Sequence, residues 1–151
     1  MSIRSILLSS RIARDVDTLA KSTRINESKN YIQHGKTSVY EHSLNVTKMS
    51  CAIARFTGLH VDVSSLVRGA LLHDYFLYDW HIPSPAHKWH GFRHPAFAFA
   101  NANRDCKLTY IESDIIRHHM FPLTLQPPKT REGLIVCIAD KICAIHEMFS
   151  K

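Results

Sequence analysis

The sequence predicts an all-α fold, and three observations support that prediction. Glycine and proline are scarce, with five and six in 151 residues, and four of the prolines fall at positions 83, 85, 127 and 128. Apolar residues recur at helical spacing, and no stretch of any length alternates apolar and polar residues as a half-buried strand does. Helix start signals precede several apolar stretches. The length fits one domain over residues 1–151 with its own core.

The N-terminal third contains two predicted helices and a clear start for a third. Residues 4–21 carry apolar groups at a spacing of three to four, which predicts the first helix. A shorter helix is predicted over residues 27–33, ending at Gly35, because glycine often closes a helix. Ser38 followed by Glu41 has the form of a capping box and begins the next helix.

The middle of the chain alternates between helix and an unusual loop. Asp62 can cap a helix whose apolar residues continue to the pair His73 and Asp74. Segment 78–91 holds aromatic, histidine and proline residues and is too long for a simple connector. A helix resumes around Pro95, since proline is tolerated in a first helical turn.

Two more helices complete the predicted bundle. Thr109 and Glu112 form a second capping box. Thr130 caps a long apolar helix that runs towards the C-terminus. The prediction is therefore a single helical bundle of six to seven helices.

Charge and cysteine content restrict the partners and the compartment. The formal net charge of +6 and pI of about 9.3 favour anionic partners such as phosphorylated small molecules. The basic residues form no long run, which argues against nucleic acid as a partner. No apolar run is long enough for a membrane span. The four cysteines lack C-x-x-C spacing, which is typical of reduced thiols and predicts a cytoplasmic protein.

Histidine and aspartate recur within the apolar helices. Burying a carboxylate is costly unless it is paired or bound to a metal. A hydrogen bond to a neighbour explains one such residue readily, but not a set spread over five helices. The set is His42, His73, Asp74, His94, His118, His119 and Asp140. If these side chains converge, their mixed nitrogen and oxygen donors suit a divalent metal ion that would neutralise the carboxylates.

The order of His42, His73-Asp74 and Asp140 resembles the H…HD…D signature of the HD-domain superfamily, helical metal-dependent phosphohydrolases and their relatives. The resemblance covers roughly residues 34–147. It is specific because the HD dipeptide ends the helical stretch "SSLVRGALLHD" and the last aspartate lies in the apolar stretch "VCIADKI". The histidines between these motifs resemble the longer H…HD…H…H…D pattern of members with two metals.

The resemblance implies two divalent metal ions drawn from iron, manganese, zinc, nickel and magnesium. The implied ligands of the first ion are His42, His73, Asp74 and Asp140. Asp74 would bridge to the second ion, which His94 and one or both of His118 and His119 would complete. Neighbouring helical residues point about 100° apart, so His118 and His119 cannot face the same way. We favour His118 as the ligand and keep His119 in the site as a ligand or a substrate contact.

Leu77 marks a departure from two branches of the superfamily. The HD-GYP cyclic-dinucleotide phosphodiesterases resemble this chain but have a lysine three residues after the HD aspartate, and the bacterial 5′-deoxynucleotidases have an acidic residue there. The GYP segment is also replaced, by "MFPL". Asp79 could act as the proton donor instead, or could simply cap the loop.

Four cations near the implied ligands are candidate phosphate anchors. They are Lys88, Arg93, Arg117 and Lys141, of which Lys141 is assigned a catalytic role because it directly follows Asp140. For each, a solvated surface position is the alternative. The loop residues Trp80, His81, Trp89 and His90 could stack on a nucleobase, or could hold the loop in place as a hydrophobic plug.

Three functions fit this pattern. The leading one is a phosphohydrolase or phosphodiesterase that acts on a phosphorylated small molecule, with a nucleotide favoured, through hydroxide activated by the metals. The second is an HD-fold di-iron oxygenase, because the same ligand set resembles that group. The third is a module that binds a nucleotide or a protein without catalysis.

Overall fold

The computed structural model describes residues 3–150 and confirms the all-α prediction. Its α-helices are α1 (Ile3–Ser22), α2 (Val39–Thr57), α3 (Val63–Leu72), α4 (His90–Asp105), α5 (Tyr110–His118) and α6 (Arg131–Phe149). Two 3₁₀ helices, Ile25–Asn30 and Pro85–His87, lie in the connections. The sheet is a single antiparallel hairpin of β1 (Ile32–His34) and β2 (Thr37–Ser38) among the described residues.

Helix α2 lies at the centre of the bundle and packs against α3 and α6. Helix α5 packs against α3 and α6, and α4 packs on α5. Buried side chains from these helices, such as Val46, Leu71, Ile116 and Val136, form one continuous apolar core. The core therefore fixes the relative positions of the helices that carry the predicted metal ligands.

The four predicted helix caps are confirmed. Ser38, Asp62, Thr109 and Thr130 each accept a hydrogen bond from a backbone N–H in the first turn of the following helix. Both capping boxes are complete, because the carboxylates of Glu41 and Glu112 accept a hydrogen bond from the backbone N–H of Ser38 and of Thr109. These contacts satisfy backbone N–H groups that would otherwise lack a partner.

The prediction of a helix over residues 27–33 is wrong. The 3₁₀ helix ends at Asn30, and the extended strand β1 follows. Gly35, with φ of +57°, lies in the hairpin turn between the strands instead of closing a helix. The extended backbone directs Gln33 into the interior, where its side chain contacts the predicted metal site.

Helix α4 begins one turn earlier than predicted. It starts at His90 instead of near Pro95, and its N-cap residue Trp89 adopts a left-handed backbone with φ of 63°. Pro95 therefore lies in the second turn, where its missing N–H removes the hydrogen bond to the Gly91 carbonyl. His94 lies inside a formed helix as a result.

Helices α3 and α5 approach each other closely at Gly69. A Cβ atom at this position would collide with the side chain of Ile115. The close contact leads directly into the end of α3 at Leu72, after which the chain turns through His73 and Asp74. The glycine thus permits the packing that sets the position of this turn.

The remaining sequence predictions concern cysteines and membranes. All four cysteines are free thiols, and three of them are buried. Among residues 3–150, no helix has the length and apolar content that crossing a bilayer requires. The free thiols agree with the predicted state of the cysteines.

Candidate metal centre

Four buried side chains from three parts of the bundle converge at its centre. His42 lies one turn into α2, His73 and Asp74 follow α3, and Asp140 lies in the middle of α6. One donor atom from each lies within 4.8 Å of the others. His42 Nε2 is 2.9 Å from Asp140 Oδ1, and His73 Nε2 is 3.5 Å from the same oxygen. We call these residues the first ligand group.

A second group of donors lies on the other side of the same aspartate. It consists of Asp74, His94 from α4 and His119 at the C-terminal end of α5, all buried and within 4.8 Å of one another. Asp74 Oδ1 is 3.1 Å from His94 Nε2 and 3.2 Å from His119 Nε2. We call these three residues the second ligand group.

Asp74 belongs to both groups because its two oxygens point in different directions. Oδ1 faces His94 and His119, whereas Oδ2 lies 3.4 Å from His73 Nε2 and 3.7 Å from His42 Nε2. A carboxylate placed in this way can bridge two cations.

The first ligand group is oriented by hydrogen bonds to its outer nitrogens. His42 Nδ1 donates to Glu147 Oε2 at 2.7 Å, and His73 Nδ1 donates to the carbonyl oxygen of Ala70 at 2.7 Å. A carbonyl oxygen can only accept, so the proton of His73 is held on Nδ1. The Nε2 atoms of both rings are thereby turned towards Asp74 and Asp140, as is typical of metal-binding imidazoles.

In the second ligand group, the outer ring nitrogens of the histidines are also hydrogen-bonded, but only to backbone carbonyls. His94 Nδ1 donates to the carbonyl of His90 at 3.0 Å, and His119 Nδ1 donates to the carbonyl of Ile116 at 2.9 Å. The two Nε2 atoms lie 2.9 Å apart. In neutral rings with the Nδ1 protonated, two lone pairs would face each other at this distance. A cation between the two nitrogens and Asp74 would turn that repulsion into attraction.

Burial and charge act against each other in the first ligand group. Burial disfavours the charged forms of its histidines and aspartates, but hydrogen bonds and attraction between opposite charges have the larger effect on their pKa values. Contacts to Asp140 and Glu147 raise the pKa of His42 to about 9, and Asp74 and Asp140 raise the pKa of His73. The histidines in turn hold the pKa values of Asp74 and Asp140 below their usual range.

Two buried donor atoms of the ligand groups lack any hydrogen-bond partner. They are His73 Nε2 and Asp74 Oδ1. A buried polar atom without a partner costs free energy of about 1–3 kcal/mol, so such atoms are rare unless an ion or water completes them. In the second ligand group, burial lowers the pKa of His119, which favours its neutral, metal-binding form. The donor set therefore fits divalent cations.

A cavity of about 650 Å³ opens beside the two ligand groups. Asp74, His94 and Asp140 reach it from the metal centre, and Lys141 provides its one ammonium group. Much of the remaining wall is apolar or aromatic and consists of Trp80, Met120, Pro122, Leu123 and Ala144. The volume suits a small molecule.

Part of the long loop closes one side of this cavity through stacked rings. Trp80 stacks on His90 with ring centroids 5.0 Å apart, and His90 stacks on His94 at 4.6 Å. The hydroxyl of Tyr78 lies 2.8 Å from His90 Nδ1. Burial and the neighbouring His94 lower the pKa of His90 to about 3, so the ring is neutral and stacks without a charge. The stack links the loop directly to a member of the second ligand group.

His118 is not part of either ligand group, and the preference for it over His119 needs correction. Its Nδ1 bonds to Asp114 Oδ1 at 2.8 Å, on a different side of α5 from His119. His118 and His119 do point in different directions, as expected for neighbours about 100° apart on a helix, but His118 is the one that points away from the metal centre. His119 is the residue that reaches Asp74.

Of the other predicted site residues, Lys141 lines the cavity and Asp79 does not. Lys141 lines the cavity, where its ammonium donates to the carbonyls of His119 and Cys137. Asp79 accepts a hydrogen bond from the backbone N–H of His81 and does not line the cavity, which favours the loop-capping role.

The three remaining predicted anchors do not line this cavity. Lys88 is exposed, and the guanidinium of Arg93 lies over the ring of Phe97. The guanidinium of Arg117 lies over the ring of Phe99, beside a separate cavity of about 470 Å³. Proximity to the ligands in sequence therefore does not correspond to proximity in space for these cations.

Two residues of the centre were missed by the sequence analysis. Gln33 donates to Asp74 Oδ2 at 2.6 Å, and Glu147 holds His42 from the C-terminal end of α6. Gln33 lies in the segment wrongly predicted as helix, so no signal placed it. Glu147 follows Asp140 by seven residues, two helical turns, and this spacing could have identified it as a neighbour on the same face.

The comparison with protein families agrees with the geometry. A family model described as HD domain matches residues 39–145, which is more than half of the chain. The chain therefore belongs to the HD-domain family. Searches against curated proteins and against solved structures returned no significant match.

Proposed function

We propose that the chain is a phosphohydrolase or phosphodiesterase that acts on a phosphorylated small molecule, with a nucleotide as the favoured substrate. The observation that carries the proposal is the pair of ligand groups joined by Asp74, with orphaned donor atoms at their centre. Membership of a family of metal-dependent hydrolases supports it. Family membership does not specify the type of ester, the substrate class or the number of metals, and these are the parts that we propose.

The donor set makes the chemistry of the proposal specific. Divalent ions held by these residues would supply a water of lowered pKa and would neutralise charge on a phosphoryl group. His42, His73 and Asp140 would hold one ion, and His94 and His119 the other, with Asp74 between them. The hydrogen bonds to the outer nitrogens keep these rings in place, so little reorganisation is needed when the ions or the substrate bind.

The cavity wall supports a substrate with a flat apolar part. Trp80, Met120 and Leu123 offer aromatic and aliphatic surface that a nucleobase can contact. Lys141 gives the cavity one positive charge, which suits a single phosphoryl group better than a long polyphosphate. The stacked rings of Trp80 and His90 shield this side from water, which strengthens electrostatic contacts inside.

The test is purification without chelators, followed by metal analysis and a panel of phosphatase and phosphodiesterase substrates. We expect about two equivalents of divalent metal and phosphate or nucleoside release that a chelator abolishes. Oxygen consumption with a mixed-valent iron EPR signal would instead identify the oxygenase. Metal-free protein that stays inactive with every added metal would support the binding module.

A matched pair of lysine variants tests the cavity as the substrate site. A hydrogen bond to a charged group contributes ~1.5–3 kcal/mol, so Lys141→Gln should raise KM for a phosphorylated substrate by about ten-fold or more. Lys88→Gln removes an exposed ammonium outside the cavity and should leave KM unchanged. Metal content measured in parallel should be equal in both variants. Equal KM values in both would contradict the placement of substrate beside Lys141.

A further inference from the structure

The outward face of α6 is apolar along its whole length. Six large side chains on this helix are 43% to 81% exposed. They are Leu134, Ile138, Ile142, Ile145, Met148 and Phe149. Scattered exposed apolar residues are normal on a protein surface, but a contiguous set of this size marks an interaction site.

Five of the six residues form one straight stripe. At 100° per residue, Leu134, Ile138, Ile142, Ile145 and Phe149 fall within about 80° of one another around the helix axis. From the first to the last, the stripe is about 22 Å long at 1.5 Å per residue. We call these five residues the α6 stripe. Its narrow width and regular spacing match the seam along which two helices pack.

No charged side chain interrupts the α6 stripe among the described residues of the helix. The carboxylates of Asp140 and Glu147 are buried on the other side, where they contact His42. The ammonium of Lys141 is bonded to backbone carbonyls inside the bundle. The helix thus has one face committed to the metal centre and one apolar face that the described residues leave largely half-exposed.

We propose that the α6 stripe is the interface through which two copies of this chain form a symmetric dimer. A two-fold axis makes the same patch serve both copies, so the patch must match itself when reversed. The stripe meets this condition. In an antiparallel pair of α6 helices centred between residues 141 and 142, Ile138 faces Ile145 of the other copy and Leu134 faces Phe149 of the other copy.

The exposed area is adequate for a stable dimer. Five or six half-exposed side chains of this size leave on the order of 500–700 Å² of apolar surface on each copy. A standard interface buries ~800 Å² per partner, including its polar rim. Asn45, Lys48 and His146 border the groove next to Ile142 and supply such a rim. An apolar centre within a polar border is the usual composition of a homodimer interface.

Charge favours the antiparallel arrangement. Arg131 is the exposed first residue of α6, at the N-terminal end of the stripe. In a parallel pair, the two Arg131 side chains would lie side by side and repel. In the antiparallel pair, each would lie near the C-terminal end of the partner helix, where the helix dipole is negative.

The proposal is independent of the proposed function, because it concerns the face of α6 that points away from the metal centre. The primary test is the mass of the full chain in solution, by sedimentation equilibrium at micromolar concentration. We expect twice the chain mass of 17.3 kDa for the wild type. Ile142→Glu should give the monomer mass, because it would place two carboxylates together at the two-fold axis. Ile145→Glu serves as a second variant if the first does not fold by circular dichroism.

Leu125→Glu is the matched control. Leu125 is 89% exposed, but it lies in the loop before α6 and lines the cavity next to Arg117. This variant should remain dimeric. A wild type that is monomeric at 100 μM, or a dimer that survives both glutamate variants in α6, would overturn the proposal.

The orientation has its own test. Ile142→Cys should form a disulfide-linked dimer on mild oxidation, since residue 142 lies near the proposed axis. Leu134→Cys should not, because residue 134 faces residue 149 in the antiparallel pair but would face itself in a parallel pair. The wild type, whose Cys51, Cys137 and Cys143 are buried, serves as the background. A dimer that Ile142→Cys fails to crosslink would overturn the antiparallel pairing.

Discussion

The two ligand groups share Asp74 but differ in how their imidazoles are held. In the first group, His42 lies between the carboxylates of Asp140 and Glu147, and its pKa is raised to about 9. In the second, His94 and His119 are oriented by backbone carbonyls alone, and burial lowers the pKa of His119. The first group therefore competes for protons, whereas the second offers free lone pairs. We expect the two positions to bind metal with different dependence on pH.

Removing the shared carboxylate should have the largest effect. Asp74→Ala deletes a donor from both groups, so metal binding and activity should be lost together. Metal content by mass spectrometry and turnover on the best substrate of the panel measure both. Asp79→Asn, which changes a loop carboxylate outside the cavity, is the control and should behave as the wild type. Full metal content in Asp74→Ala would show that the centre is assigned wrongly.

Variants of the adjacent histidines, His118 and His119, test which of the two belongs to the second ligand group. His119→Gln should reduce the metal content from about two equivalents to about one, because the first group remains intact. His118→Gln removes only the bond to Asp114 and should keep both equivalents. The comparison is stringent because the two variants differ by one position. Loss of one metal equivalent in His118→Gln but not in His119→Gln would identify His118 as the ligand.

Competition between protons and metal should make metal affinity at the first ligand group depend on pH. The raised pKa of His42 means that metal at the first group must displace a proton whenever the pH is below about 9. Apparent affinity there should fall at least about ten-fold per pH unit as the pH is lowered from 9, because the pKa of His73 is raised as well. Titration calorimetry in buffers of different ionisation enthalpy measures the protons released. His119→Gln protein, which keeps only the first group, should release them, and a pH-independent affinity in that variant would contradict the comparison.

The smallest expected effect lies outside both groups, at Asp114. This buried carboxylate accepts hydrogen bonds from the backbone N–H groups of Lys129 and Thr130 and from the Thr130 hydroxyl, which holds the loop before α6. These bonds, together with that from His118, outweigh burial and lower its pKa. Asp114→Asn should reduce the free energy of unfolding by about 1–3 kcal/mol. Chemical denaturation with metal present measures it.

The sign of the pH dependence at Asp114 follows from the lowered pKa. The stabilisation is complete above the unfolded pKa of about 3.9 and is lost as the pH falls through the lower, folded value. The wild type and Asp114→Asn should therefore differ most near neutral pH and converge in acid. A difference that grows as the pH falls below 4 would exclude this explanation.

Local signals explain what the sequence predicted well. A capping box such as Ser38 with Glu41 is set by contacts three residues apart, and helical periodicity is equally local. The ligand types were also recognisable, since Asp74 and Asp140 are carboxylates within apolar helices. These features need no knowledge of how the helices pack.

Contacts between distant segments explain what the sequence did not predict. Gln33 reaches Asp74 only because a hairpin replaces the expected helix, and Gly35 is compatible with either structure. The choice between His118 and His119 depends on the rotation of α5 about its axis, which packing against α3 and α6 sets. The position of Arg117 on the outer side of α5 follows from the same rotation.

We infer that Asp74 joins two metal positions. Anomalous diffraction from crystals grown with manganese tests it most directly. We expect two anomalous peaks, one on each side of the Asp74 carboxylate, with His42, His73 and Asp140 around one and His94 and His119 around the other. A single peak, or a second peak beside His118 and away from Asp74, would contradict it.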